Sequence, residues 1–165
     1  MSPSIRREPV GPGRESVWDY PRPPRLEPTS RHLVVAHGST VIAASRRGFR
    51  LLETSHPPSY YLPAGDCDLE LLRAAPGTSV CEWKGRAVYW DVAVEGEVIR
   101  QVAWSYPDPA PPYEPIRNHL AFYPSLLECS VDGERATPQP GQFYGGWVTS
   151  GVVGPFKGSP GTSWW

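Results

Sequence analysis

At 165 residues, with 21 prolines and 16 glycines, the chain has room for one hydrophobic core. Its backbone is broken too often for long helices, because these two residue types make up roughly a fifth of it against a usual share of about 12%. The 16 basic and 17 acidic residues leave a net charge of −1, without the cationic surplus on which sequence-independent nucleic-acid binding rests.

No apolar run approaches the roughly 20 residues needed to cross a bilayer. Residues 1–7 carry positive charge but lack the apolar stretch of a secretory signal. These features predict a cytoplasmic protein with neither membrane nor nucleic acid as a partner. Cys67, Cys81 and Cys129 form an odd set without a C-x-x-C pair, which fits reduced thiols better than a disulfide framework or a thiolate zinc site. Only Lys84 and Lys157 among the basic residues are lysines, a bias that genomic base composition explains without any function.

Prolines at 3, 9, 12, 21, 23, 24 and 28 deny helix to residues 1–32 and predict an extended arm. Val17, Trp18 and Tyr20 are too apolar for a free linker and are expected to dock on the domain. That domain spans residues 33–141. Residues 33–37 and 40–44 are β-rich runs about a Gly38-Ser39 turn, hence a hairpin. Residues 49–53 read as a third strand, and 57–63 as an extended segment held by its prolines. Residues 66–72 are the best helix candidate, with Asp66 placed to cap its first turn, stopped by Pro76-Gly77.

A hairpin follows, with arms at 80–83 and 86–94 about a Lys84-Gly85 turn. Its second arm sets Val88, Trp90, Val92 and Val94 against Ala87, Tyr89, Asp91 and Ala93 on opposite faces. After Glu95-Gly96 the chain returns through 98–106 until Pro107-Asp108-Pro109 ends the strand. Residues 118–123 and 127–134 supply a further strand and a hairpin edge. Short strands separated by turn signals predict a single, compact, mainly β domain with one or two short helices, built as an antiparallel sheet, barrel or sandwich. The tail, 142–165, interleaves Phe143, Tyr144, Trp147, Phe156, Trp164 and Trp165 with glycine. So much aromatic area is expected to pack on the domain or on a second copy as a homodimer.

Residues 81–89 (CEWKGRAVY), 103–109 (AWSYPDP) and 119–123 (HLAFY) occur in an order that resembles the domain-of-unknown-function family four-two-seven. This bacterial and fungal family also carries a nucleotidyltransferase-like label. The resemblance runs over about residues 33–131 and includes Tyr61-Leu62-Pro63 and residues 68–72. It implies a compact, tent-like β fold with a pocket near the C-x-W-K-G turn, and no established reaction. The acidic metal-binding pattern that the label suggests is not found in the sequence.

Two sets of residues can carry chemistry. An ammonium near a thiol raises its thiolate fraction, so Cys81 with Lys84 is a candidate nucleophile pair, and His119 is the histidine nearest a motif that can move its proton. The structural alternatives are an inert buried cysteine beside a solvated lysine, and a hydrogen-bonded histidine. The second set is Trp83, Tyr89, Trp104 and Tyr106 on neighbouring hairpins, which can sandwich a planar ring while Lys84 and Tyr61 hold its polar edge; core packing is the alternative. Helix capping and a solvated face account for Asp66, Asp68 and Glu70, so neither metal nor cofactor is expected. The glycines and Lys157 of 154–161 read as tail turns, since no G-K-[ST] ending precedes a helix. Binding of a small planar molecule is favoured. A transferase- or hydrolase-type enzyme using Cys81 or Lys84 is the second reading, and a structural or partner-binding module the third.

Overall fold

Period-two alternation gives each long strand two different faces, and in the centre of the large sheet the fold buries both. The computed structural model describes residues 5–141 and 143–165; Pro3 of the arm and Gln142 at the head of the tail lie outside the described residues. Among the described residues fifteen strands follow in chain order. They are β1 (Glu15–Ser16), β2 (Arg25–Thr29), β3 (Leu33–His37), β4 (Thr40–Ser45), β5 (Gly48–Leu52), β6 (Ser59–Pro63), β7 (Leu72–Cys81) and β8 (Gly85–Val94). The remainder are β9 (Glu97–Ser105), β10 (His119–Phe122), β11 (Glu128–Val131), β12 (Glu134–Arg135), β13 (Thr137–Pro138), β14 (Trp147–Val148) and β15 (Val152–Val153).

The main sheet is antiparallel, in the order β2-β5-β6-β10-β9-β8-β7. Its outer strands β2 and β7 do not meet, so the sheet is open and the barrel-like expectation gives way to a mainly β layered fold. A second sheet, β12-β11-β3-β4, covers one face of the first. Between them lie Leu33, Val35 and Ile42 from the small sheet and Tyr60, Leu62, Val92, Ala103, Leu120 and Phe122 from the large one, all buried. The residues between these on the large sheet, including Tyr61, Ala87, Trp104 and Ala121, point the other way into a second cluster.

The helix expected over 66–72 does not form. Two 3-10 turns, Ala64–Asp66 and Leu69–Leu71, stand there instead, and Leu72 already belongs to β7. A helix this short gains little by itself, whereas Leu72 is buried and opposite Val92 on β8. Asp66 is no cap. Its carboxylate accepts from Ser45 Oγ at 2.6 Å and from Arg47 Nε and Nη2 at 3.2 and 2.9 Å; the capping role falls to Asp68, which accepts from the Glu70 N–H at 3.2 Å. Pro76-Gly77 does not end the element either. It lies in a register shift between Ala74 and Thr78, on an edge strand, where a residue without an N–H is tolerated.

Residues 25–29 form β2 along β5. Upstream, Val17 is fully buried and Tyr20 nearly so, Trp18 Nε1 donates to the Pro155 carbonyl at 2.9 Å, and β1 runs parallel to β15. Trp147 of the tail is 1% exposed and donates through Nε1 to the Phe122 carbonyl at 3.0 Å; Phe143 and Trp164 remain exposed. Among the described residues no helix is long and apolar enough to cross a membrane.

Candidate functional site: an aromatic pocket on the outer face of the large sheet

Tyr89 on β8 stands directly opposite Trp104 on β9, on the face turned away from the small sheet. Tyr106 follows Trp104 by two residues and so shares that face. With Ala87 they line a pocket of about 510 Å³. Its walls come from far apart in the chain: Cys81, Trp83 and Lys84 of the β7–β8 turn, Glu53 and His56 of the β5–β6 loop, and Tyr144, Gly145 and Lys157 of the tail. A Cβ on Gly145 would lie 2.4 Å from the Trp104 ring, so glycine alone lets the tail cross the indole this closely.

The structure therefore brings Cys81, Lys84, Trp83, Tyr89, Trp104 and Tyr106 into one cavity. Lys84 does not occupy the solvated loop tip. Its carbonyl accepts from the Ala110 N–H at 2.9 Å, and Gly85 at φ 108° turns the chain where few other residues can. Glu82 takes the exposed position, and the Lys84 ammonium lies 5.7 Å from the centroid of the Tyr106 ring. Burial works against that charge, the nearby Glu53 carboxylate favours it, and the lysine is held above its ordinary pKa.

Tyr61 lies beneath the pocket rather than in its wall. It is 1% exposed, and its hydroxyl accepts from Trp104 Nε1 at 3.2 Å, so it positions the indole from below. Burial raises the Tyr61 and Tyr106 phenols, and both remain protonated at neutral pH. At the rim the Tyr89 and Ser79 hydroxyls are 2.6 Å apart.

His119 is absent from the cavity lining. It begins β10, its Nδ1 lies 3.0 Å from the Arg117 carbonyl, and its ring meets Phe49 edge-on at 5.5 Å. The histidine in the pocket is His56, with Gln139 behind it. Gln139 Oε1 accepts from the Gly146 N–H at 3.2 Å, and Nε2 donates to the Lys157 carbonyl at 2.7 Å. This orientation leaves an Nε2 hydrogen for His56 Nδ1 at 3.0 Å, so the imidazole carries its proton on Nε2, 3.5 Å from Glu53 Oε2. Burial, reinforced by Lys157, Arg22 and Lys84, pushes His56 down to about 3. With both ring nitrogens engaged and the ring neutral, His56 braces the wall. Nothing local in the sequence separates His56, Gln139 and Lys157 from ordinary loop residues; the scarcity of lysine was the one available signal.

Burial pushes the Cys67 and Cys129 thiols up to about 12, and neither lines the pocket. Among the described residues no group of three or more His, Cys, Asp or Glu is placed to hold a metal ion. The pocket can stack a planar ring, donate hydrogen bonds from phenols and present an ammonium.

No curated protein matches this chain. The family model described as a domain of unknown function, DUF427, matches residues 25–136, a span that contains β2 through β12 and most of the pocket. With more than half its length matched, the chain belongs to the DUF427 family.

Proposed function

We propose that this protein binds a small planar ligand in the aromatic pocket beside the β7–β8 turn. The observation that carries the reading is one cavity of about 510 Å³ in which Trp83, Tyr89, Trp104 and Tyr106 stand around a half-buried lysine. That volume lies within the usual range of roughly 300–1,000 Å³ for small-molecule sites, which combine apolar walls with a few polar groups. The pocket's own tryptophans supply the signal for a test. Naphthoate, a planar fused ring, should quench their fluorescence saturably, and Trp83→Ala should weaken its binding roughly tenfold. Trp83 is only partly buried, so its removal spares the core. Absence of saturable binding by wild type would overturn the reading.

A second reading, an enzyme with Cys81 as nucleophile, draws support from the placement of Cys81 and Lys84 in the same cavity. It needs a base within reach of the thiol. His119 is elsewhere, and the nitrogens of His56 are taken by Gln139 and Glu53. The readings part at Cys81→Ser, which leaves naphthoate affinity within about twofold if the pocket only binds and abolishes turnover if it reacts.

A further inference from the structure

We infer that the planar ligand carries an anionic group, a carboxylate or a phosphate, received by Lys84 with Lys157 in the lining of the same cavity. The inference rests on the binding reading above and adds the charge of the ligand to it.

The chain has 16 basic residues, and the only two lysines among them, 84 and 157, both line this cavity. The fold brings them there from two distant segments, one from the β7–β8 turn and one from the tail. Each ammonium lies 5.7 Å from the centroid of a tyrosine ring, Lys84 over Tyr106 and Lys157 over Tyr144. Lysine presents a compact point charge, suited to an anionic head group that must be met at one place.

Among the described residues the Lys84 charge has no ion-pair partner within 4.0 Å. Glu53, the carboxylate on the same wall, is 3.5 Å from His56 Nε2 and 3.8 Å from Arg22 Nε, and Glu82 is exposed on the turn. Lys157 Nζ donates to the Trp165 main-chain oxygen at 3.3 Å. Glu53 favours the Lys84 charge from nearby but lies against His56 and Arg22, so a ligand anion would meet an ammonium with no close counter-ion.

The neighbouring groups point to the same sign. Tyr106 in the wall is held protonated, so it acts as a donor and not as an anion, and Tyr61 beneath it is likewise uncharged. Aromatic walls by themselves would also suit an organic cation, but two ammonium groups in the cavity repel one.

The test is calorimetric titration of the full chain with three probes of one ring system, naphthoate, naphthyl phosphate and the neutral naphthamide. Naphthoate or naphthyl phosphate should bind at least tenfold more tightly than naphthamide, and the tighter of the two identifies the head group. Lys84→Met should reduce that preference to near unity while naphthamide still binds, and Lys84→Arg, which keeps the charge, should restore part of it. Naphthamide binding as tightly as both anions, or a preference unchanged in Lys84→Met, would overturn the anionic inference and leave the ring-binding reading standing. Failure of all three probes to bind would overturn the ring-binding reading and this inference with it.

Discussion

His56 Nδ1 and Gln139 Nε2 meet at 3.0 Å across 83 positions of sequence, and this contact ties the β5–β6 loop to the segment that leads into the tail. Because Gln139 is anchored to the Gly146 N–H and the Lys157 carbonyl, it presents a donor to the ring. Protonation of Nδ1 would set donor against donor. The neutral imidazole is therefore built into the pocket wall, and its cost and benefit depend on pH.

The folded chain holds His56 down to about 3, against an ordinary value of 6.5. Between those limits the unfolded chain binds a proton that the native chain does not. The stabilisation is fully present above pH 6.5 and is lost as pH falls toward 3, with a slope of up to about 1.4 kcal/mol per pH unit. Urea unfolding from about pH 7 to pH 4.5 should show His56→Gln with a shallower decline than wild type, by up to one proton. Asp66, Glu95 and Glu114 are also lowered by their hydrogen-bond partners and titrate in both proteins, so they cancel in the comparison. Equal slopes would show that His56 titrates freely in the native state.

Trp147 fastens the tail to the core. It is 1% exposed, 4.9 Å from the Tyr60 ring between centroids, and bonded to the Phe122 carbonyl. Trp147→Ala should cost about 3–5 kcal/mol, read as a lowered urea midpoint. Trp147→Phe fills most of the space but leaves a buried carbonyl without its donor, and should cost about 1–3 kcal/mol.

Gly145 tests whether the tail shapes the pocket. A methyl group there meets the Trp104 ring at 2.4 Å, so Gly145→Ala must push either the indole or the tail aside. The expected destabilisation is about 1–3 kcal/mol, accompanied by a weaker naphthoate affinity under conditions where the variant is fully folded. Unchanged affinity would place the binding surface away from Trp104.

His119 supplies a contrast to Trp83. Since His119 lies against Phe49 and the Arg117 carbonyl and outside the cavity lining, His119→Ala should leave naphthoate affinity within about twofold of wild type. A loss comparable to that of Trp83→Ala would mean that the pocket extends to β10.

The hairpins were legible in the chain because alternation and turn residues are local. Gly38-Ser39, Glu95-Gly96 and Asp132-Gly133 each join antiparallel neighbours, and the order of three short motifs was enough to indicate the family. The aromatic wall was legible for the same reason, since Trp104 and Tyr106 share a face by spacing alone. Residues 66–72 misled because their capping pattern is also local, whereas the burial of Leu72 against Val92 is not. Tertiary structure alone decided that Lys84 turns inward, through the Ala110 N–H, and that His56, Gln139 and Lys157 stand beside it. Those residues are separated by tens of positions, and no periodicity links them. Their meeting depends on how the tail crosses the sheet, a packing outcome that sums many weak contacts and leaves no local mark in the sequence.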